Sequence, residues 1–520
     1  MKKLKPYLNT KHVPRILIFL NLVALTFYFS WWVLFAPPNN PILFGLLLIG
    51  ELYHILMTFL FLITIRNMKR STSPQPDLTT LYRPTIDVFV TVAGEPVEIV
   101  KHTLQKIKKT KYPKSKLHIH LLNDSYVAGK SNWDEYEKLA QQLGVNCITR
   151  TIPGGAKAGN INHALGKTEA ELVTIFDADM APEPDFFTQT VAYFQEEEVG
   201  FVQTPQYYAN HQKNNITQSA WEQQEFFFGP IMRGKNYSNA AFICGTNVVM
   251  RRTALLQAGG MNEDSIAEDF LTSFFIHQQG WKSVYVPEVL AYGLAPEDLL
   301  SYHNQQFRWA RGSLEILFHH NPLFTKGLSW AQRLEYLSSS LFYANGVIIL
   351  IDALIPLLFL FFGWSPISAT TTIFAIFFLP FISLILYTLH LVSDKSLTLR
   401  AISFTHSSWV LQVTAVISTL LKKKMGFKVT AKQAQSGNYL SLAYPHLIYI
   451  GLVILAGLVA LSREGISPSV VTNLSWAAFN SILFMPFIYA AIPWEKLKNR
   501  WWGWSQSKST PPATKPVYYD

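Results

Sequence analysis

The sequence predicts an α/β domain with a mostly parallel sheet, inserted between apolar helices that are long enough to cross a membrane. Three observations lead to this prediction. The 520 residues are 49% hydrophobic and only 15% charged, whereas soluble proteins carry about a quarter charged residues. Several apolar runs reach the about 20 residues that a helix needs to span a bilayer. Between them, residues 83–326 alternate short apolar strands with amphipathic helices, which is typical of a parallel sheet.

Two apolar runs, residues 16–35 and 42–65, open the chain. Basic residues precede the first run and follow the second, and the positive-inside rule places such ends in the cytoplasm. The first run ends in tryptophans and prolines rather than in a small-residue cleavage site, so a signal peptide is not indicated. We therefore expect two transmembrane helices in residues 1–70.

The middle of the chain, residues 80–326, is the predicted α/β domain. The pattern predicts strands at residues 86–92, 117–122, 145–149 and 172–176, and helices at residues 97–109, 133–143 and 158–166. Ligands bind beyond the carboxyl ends of the strands in such sheets. The functional residues are therefore expected at residues 93–95, 124 and 177–179.

Apolar sequence returns after residue 326. We expect transmembrane helices three and four in residues 327–393, an interfacial helix and loop in residues 394–443, transmembrane helices five and six in residues 444–493, and a cytoplasmic, disordered tail in residues 494–520. The segment 401–421 is long enough to span, but a span there would move the following lysines outside. The positive-inside rule therefore favours an amphipathic helix on the inner interface, six spans, and both termini in the cytoplasm.

Charge and cysteine content exclude other classes of protein. The net charge of +10 lies mostly beside the membrane spans, so it does not require a nucleic-acid partner. Two cysteines, Cys147 and Cys244, are too few for a disulfide scaffold or a cysteine-rich zinc site. Both are expected to be small, buried side chains.

Asp177 and Asp179 form an Asp-Ala-Asp turn directly after the last predicted strand. Two carboxylates at this spacing can hold a hard divalent cation that bridges phosphate oxygens. An acidic turn before a helix is the alternative interpretation.

Asp124 ends another strand and could contact a nucleotide or cap a helix. Lys157 follows a Gly-Gly-Ala turn. This turn could bind a diphosphate at the start of the next helix, or it could be only a flexible turn.

Glu268 and Asp269 stand at the expected start of a helix, where a carboxylate can be a cap or a general base. Gln305, Arg308 and Trp309 follow as Gln-x-x-Arg-Trp. The arginine could bind a phosphate and the indole could stack on a sugar. A membrane-proximal helix with these same side chains at the interface is the alternative.

These motifs occur in one order on one α/β domain between membrane spans, and in this combination the sequence resembles the family 2 processive glycosyltransferases. It is most similar to the bacterial cellulose synthase catalytic subunits, from about residue 84 to residue 312 and again near residue 427. Further matching stretches are residues 201–206 (FVQTPQ), residues 242–246 (FICGT) with Arg251 and Arg252, and residues 427–432 (FKVTAK), which match that family's FxVTxK gating loop.

The resemblance implies a GT-A fold and a set of site residues. The implied site consists of the catalytic base Asp269, the metal ligands Asp177 and Asp179, the nucleotide-sugar-binding residues Glu95, Asp124, Lys157, Gln305 and Arg308, the acceptor-binding residues Trp309 and Cys244, and the gating-loop residues Phe427, Val429, Thr430 and Lys432. The implied cofactor is Mg²⁺ or Mn²⁺.

The resemblance also implies the activity. We expect an inverting enzyme of the plasma membrane, with a cytoplasmic catalytic domain, that polymerises UDP-glucose into a β-glucan and moves the growing chain across the bilayer. A β-1,4 linkage is favoured over β-1,3 or mixed linkage. The alternatives are a hyaluronan- or chitin-type synthase that uses UDP-N-acetylglucosamine, and a nucleotide-binding transporter. The sequence does not identify protein partners.

The sequence departs from the family pattern at two motifs. Ala267 replaces the threonine of Thr-Glu-Asp, and residues 93–96 read Ala-Gly-Glu-Pro in place of Tyr-Asn-Glu-Pro. We expect no PilZ domain, the domain that binds cyclic-di-GMP, after Trp504. We therefore expect activity without that dinucleotide.

Overall fold

The computed structural model describes residues 13–66, 68, 82–393, 398–423 and 437–493. The chain opens with two antiparallel helices, α1 (Arg15–Ser30) and α2 (Pro41–Arg66). A π-helical turn, Trp31–Phe35, extends α1 before the chain reverses. These helices correspond to the first two predicted spans.

Ten strands follow in the described part of the chain. They are β1 (Ile86–Val92), β2 (Leu117–Asn123), β3 (Asn146–Thr149), β4 (Leu172–Asp177), β5 (Ala181–Pro182), β6 (Val199–Gln203), β7 (Tyr207–Tyr208), β8 (Val248–Arg251), β9 (Lys282–Tyr285) and β10 (Ala291–Gly293). The four strands predicted from the sequence are β1 to β4. The sequence pattern did not reveal the other six.

Seven of these described strands form the main sheet, in the order β3-β2-β1-β4-β8-β6-β9. The strands β3, β2, β1 and β4 are parallel, whereas β8 runs antiparallel to both of its neighbours. The prediction of a mostly parallel sheet is therefore confirmed. Strands β5, β10 and β7 form a small second sheet.

Nine described helices surround the sheets and connect them to the membrane helices. They are α3 (Val97–Lys108), α4 (Trp133–Leu143), α5 (Ala156–Leu165), α6 (Phe186–Thr190), α7 (Asn215–Phe226), α8 (Met232–Tyr237), α9 (Arg252–Gln257), α10 (Glu268–Gln278) and α11 (Leu299–Glu315). Helix α5 begins two residues earlier than predicted, since the turn before it ends at Gly155.

The core of the α/β domain lies on both faces of the sheet. All seven residues of β1 are buried. Val88 and Val90 belong to the same apolar cluster as Leu104 of α3, while Phe89 belongs to the opposite cluster, with Ile161 of α5. Each such buried side chain contributes about 1.5–3 kcal/mol. Burial on two faces explains why apolar residues occupy both alternating sets of positions in this strand.

The remaining helices are α12 (Trp330–Leu341), α13 (Asn345–Phe362), α14 (Thr371–Val392), α15 (Leu399–Ser407), α16 (Trp409–Leu420), α17 (Leu440–Glu464) and α18 (Pro468–Ala491). In the described residues, six helical stretches are long and apolar enough to cross a membrane: Arg15–Phe35, Pro41–Ile65, Trp330–Phe362, Thr371–Val392, Leu440–Glu464 and Pro468–Ala491. The prediction of about six such helices is confirmed. The domain boundaries themselves stay predictions.

The segment 401–421 differs from the single helix that the sequence predicts, because it forms two helices, α15 and α16, that meet at Ser408. Ser407 of α15 donates a hydrogen bond to Leu483 O of α18 at 3.4 Å. Helix α16 packs against α11 and α13. Ser407 therefore contributes to the packing of this segment against α18.

Two carboxyl groups within the apolar helices have partners on neighbouring helices. Tyr28 OH donates a hydrogen bond to Glu51 Oε2 at 2.7 Å. His54 Nε2 lies 3.0 Å from Asp352 Oδ2. Such pairing stabilises ionisable groups in a membrane, where an unpaired carboxyl is costly.

Candidate active site

A cavity of about 320 Å³ opens at the carboxyl ends of the parallel strands. Its lining includes ten residues predicted from the sequence: Glu95, Asp124, Lys157, Asp177, Asp179, Cys244, Asp269, Gln305, Arg308 and Trp309. These residues are spread over more than two hundred positions of the chain, and the fold brings them to one place. The predicted gating-loop residues, Phe427, Val429, Thr430 and Lys432, lie outside the described residues.

Asp177, the last residue of β4, and Asp179, two positions later, line this cavity. The backbone N–H of Asp177 donates to Thr246 Oγ1 at 2.9 Å. Asp179 Oδ2 accepts a hydrogen bond from Leu294 N at 3.0 Å, which holds its carboxylate against β10. In the described residues, no group of three or more His, Cys, Asp or Glu side chains forms a metal cluster. Two carboxylates fit the sites in which Mg²⁺ takes its other ligands from water and a phosphate.

Lys157 lies in the first turn of α5 and points into the cavity. Its Nζ forms an ion pair with Asp177 and donates to Gly245 O at 2.8 Å. Burial by itself lowers the pKa of Lys157, but the attraction of Asp177 and Glu268 outweighs burial and raises the pKa above its usual value. A permanently charged ammonium is therefore available to a diphosphate.

Asp269, the second residue of α10, is the candidate base. Its Oδ1 accepts a hydrogen bond from Phe270 N at 2.8 Å. Burial raises the pKa of Asp269 to about 7, and the neighbouring Glu268 adds to the rise. Lys157 and Arg308 oppose this rise. A carboxyl with a pKa near 7 suits proton abstraction at physiological pH.

Gly245 lies beside this base and has a φ of 79°. A Cβ at this position would lie 2.9 Å from Asp269 Oδ2. The close approach of backbone to carboxylate therefore requires glycine here.

The segment that carries Cys244 is held by two glutamines of the FVQTPQ stretch. Cys244 N donates to Gln203 Oε1 at 2.9 Å, and Gln206 Nε2 donates to Cys244 O at 2.5 Å. Burial, with a smaller contribution from Asp269, raises the pKa of the Cys244 thiol well above its usual value. The thiol is therefore neutral and suits a lining role rather than a nucleophilic one.

Helix α11 presents Gln305, Arg308 and Trp309 on one face, since residues three and four apart lie side by side. Asp298 caps this helix and accepts a hydrogen bond from Ser301 N at 2.8 Å. A Cβ on Gly312 would lie 2.1 Å from the Cβ of Ala267. The helix therefore packs tightly against the loop that precedes Asp269.

Sequence reasoning missed one charged residue of the cavity, Arg150. It follows β3 directly, and its Nε and Nη2 donate to the two carboxylate oxygens of Asp124 at 2.8 and 2.6 Å. The position of Arg150 directly after β3 could have indicated that it belongs to the cavity, because the carboxyl ends of the parallel strands β3 and β2 lie at the same edge of the sheet. Glu95, after β1, accepts a hydrogen bond from Ala93 N at 2.7 Å.

Together, a mostly parallel sheet, an Asp-x-Asp motif at the end of its central strand and a candidate base in the same cavity are the features of a GT-A glycosyltransferase domain. The fold is similar to that of a mannosyltransferase from Pyrobaculum calidifontis, solved with GDP-mannose and Mn²⁺. The TM-score is 0.52 at 18% identity, over 74% of this chain and all of that one.

Sequence comparison specifies the family. Residues 84–312 match the model of the glycosyltransferase-like family 2, and residues 257–485 match the cellulose synthase model. The chain therefore contains a family 2 glycosyltransferase-like region and a cellulose synthase-like region, which confirms the resemblance seen in its motifs.

Two relatives show the extent of this similarity. Cellulose synthase 1 of Komagataeibacter xylinus is 32% identical over 458 residues, which are 84% of this chain and 29% of the relative. The UDP-forming cellulose synthase catalytic subunit of Pseudomonas fluorescens is 31% identical over 425 residues, which are 77% of this chain and 55% of the relative. The chain thus spans about half the length of these relatives, or less.

Proposed function

We propose that the protein is a processive, inverting glycosyltransferase of the plasma membrane that polymerises glucose from UDP-glucose into a β-glucan. The observation that carries this proposal is the position of Asp269 in one cavity with Lys157, Arg308 and Trp309. This cavity joins a base, two cations for a diphosphate and a flat indole for a sugar ring. The UDP-forming relative is named for the same nucleotide product.

In the proposed reaction, the acceptor sugar stacks on Trp309 with one hydroxyl directed at Asp269. The Asp269 carboxylate takes the hydroxyl proton as the oxygen attacks the anomeric carbon of the donor. The bond from that carbon to the diphosphate breaks, and UDP leaves with the bonding electron pair. One such displacement inverts the anomeric centre, so an α-linked donor yields a β linkage.

The other residues of the cavity bind and orient the donor. Asp124 and Glu95 are proposed to contact the nucleoside. Lys157 and Arg308 stabilise the negative charge that develops on the diphosphate, since charge-assisted hydrogen bonds are about twice as strong as neutral ones. Mg²⁺ or Mn²⁺ held by Asp177 and Asp179 would supply further charge neutralisation for the leaving group.

The membrane helices adjoin the acceptor end of the site. Helix α11, which carries Trp309, packs against α16, and α16 packs against α13. We propose that the growing chain leaves along these helices and crosses the bilayer. In this proposal, the catalytic domain and both termini are cytoplasmic.

The test is UDP release and polymer formation by the purified full-length protein with UDP-glucose or UDP-N-acetylglucosamine. We expect turnover with UDP-glucose and a product that a β-1,4-glucanase digests. Digestion only by a β-1,3-glucanase would change the proposed linkage, and turnover only with UDP-N-acetylglucosamine would change the proposed donor. No UDP release with either donor would refute the proposed activity.

A further inference from the structure

The turn that precedes Lys157 has an unusual backbone. Gly154, Gly155 and Ala156 have φ angles of 144°, 62° and 43°. Glycine adopts positive φ freely, whereas an alanine there is disfavoured because its Cβ crowds the following carbonyl. The turn therefore needs contacts that hold it in this form.

Arg150 supplies such contacts. Its side chain is only 7% exposed. Its Nη1 donates to Gly154 O, and its Nη2 donates to Ala156 O at 3.0 Å. A Cβ on Gly159 would lie 2.5 Å from Arg150 Nη1, so helix α5 also leaves room for this guanidinium.

The same guanidinium holds Asp124 through its other edge. The hydrogen bonds from Nε and Nη2 to the two oxygens of Asp124 have the parallel geometry of a bidentate arginine–carboxylate pair. Each carboxylate oxygen can accept a second hydrogen bond. Asp124 therefore keeps acceptor sites for a ligand while Arg150 fixes its orientation.

We propose that Arg150 is a positioning residue that couples the two ends of the donor site. It orients Asp124 at the nucleoside end and stabilises the turn that places Lys157 at the diphosphate end. This inference rests on the proposed function, in which the ligand is a nucleoside diphosphate sugar. Removal of Arg150 then weakens both ends of the site together.

The test compares the binding of UDP with that of uridine, by calorimetry on the full-length protein in detergent with Mg²⁺. We expect Lys157→Met to weaken UDP only and Asp124→Asn to weaken both ligands. Arg150→Ala is expected to weaken uridine about tenfold and UDP by more, since loss of one charge-assisted hydrogen bond corresponds to about tenfold or more.

A double variant distinguishes coupling from general loss of structure. If Arg150 acts on the diphosphate through Lys157, its effect on diphosphate binding is already lost in Lys157→Met. Adding Arg150→Ala to Lys157→Met should then weaken UDP binding only by the factor that Arg150→Ala alone produces for uridine binding. If the double variant lost UDP affinity by the full product of the factors measured for the two single variants, the proposal would be contradicted. Should Arg150→Ala fail to fold, Arg150→Lys is measured instead, because one ammonium cannot reproduce the four contacts. Unchanged UDP and uridine binding in a folded variant would overturn the proposal.

Arg252 provides the matched control. It forms a similarly buried pair with Asp87, with Nη2 2.7 Å from Oδ2, and lies outside the lining of the cavity. Arg252→Ala is expected to lower stability and leave both affinities within about twofold, well below the tenfold that about 1.4 kcal/mol produces. Equal losses of affinity in the Arg252 and Arg150 variants would overturn the coupling role.

If the wild-type protein binds GDP or ADP rather than UDP, the proposed donor is wrong. The same variants measured with that nucleotide and its nucleoside still decide the role of Arg150.

Discussion

Lys157 Nζ forms an ion pair with the Asp177 carboxylate and donates a hydrogen bond to Gly245 O, so one ammonium joins three segments of the site. These segments are the start of α5, the end of β4 and the loop beside the candidate base. The ammonium thus neutralises part of the charge of the carboxylate pair and stays available to a phosphate.

We expect Lys157→Met to weaken UDP binding about tenfold or more, because a charge-assisted hydrogen bond is worth about 1.5–3 kcal/mol. Lys157→Arg should retain part of the affinity. Calorimetric titration with UDP measures both. Lys167→Met, which removes an exposed lysine just beyond the same helix, serves as the control. Wild-type affinity in Lys157→Met would show that Lys157 only stabilises the fold.

Asp269→Asn is expected to lower polymer formation by about a hundredfold to ten-thousandfold, the usual contribution of a general base. UDP should still bind, because the amide keeps the size of the carboxyl. Incorporation of labelled glucose and UDP titration measure the two properties. Asp264→Asn, an exposed position in the preceding loop, should leave both unchanged. Near-native turnover of Asp269→Asn would show that Asp269 is not the base and only caps the helix.

The pH dependence of turnover should follow the raised pKa of Asp269, which is about 7. The deprotonated carboxylate is the active form. The rate should therefore rise about tenfold per pH unit below pH 7 and level off above it. Initial rates from pH 5 to 9 at UDP-glucose concentrations well below KM measure this, because kcat/KM reports the pKa of the enzyme without bound donor. A profile that is flat down to about pH 5 would contradict the assignment, since an unperturbed aspartate titrates near 3.9.

A buried ion pair joins the α/β domain to the membrane helices. Lys235 of α8 and Glu335 of α12 are 2% and 1% exposed, with Nζ and Oε2 3.0 Å apart. Thr64 of α2 donates to the same carboxylate at 2.8 Å. Lys235→Met should destabilise the protein by about 3–5 kcal/mol, because an unpaired charge remains buried.

The double variant Lys235→Met/Glu335→Leu should recover most of that loss, since replacing both charges by apolar groups is often neutral. Thermal unfolding in detergent compares the variants. If the single variant were as stable as the wild-type protein, the pair would have no role in joining the two parts.

The proposed orientation predicts the accessibility of two loops. In cells that carry the single-cysteine variant Lys423→Cys, a membrane-impermeant thiol reagent added from outside should not react. Ile466→Cys, at an 86% exposed position between α17 and α18, should react, because an odd number of proposed spans separates the two positions. Labelling of position 423 from outside would overturn the proposed six-span topology.

The sequence by itself determined the fold class, the apolar helices and most candidate residues of the cavity. These features follow from local pattern: apolar runs give strands and spans, and side chains directly after parallel strands meet at one edge. The segment 401–421 shows the limit of such patterns, because the break at Ser408 accompanies packing against α18 and has no local periodic signal.

Only the tertiary structure decided which charges pair. From the sequence, Asp124 could contact a nucleotide or cap a helix, and the fold pairs it with Arg150. Lys235 and Glu335 lie 100 positions apart and meet only when α8 packs on α12. The physical reason is that ion pairing and burial depend on distance in space and on the exclusion of water, and neither property is encoded in the spacing of residues along the chain.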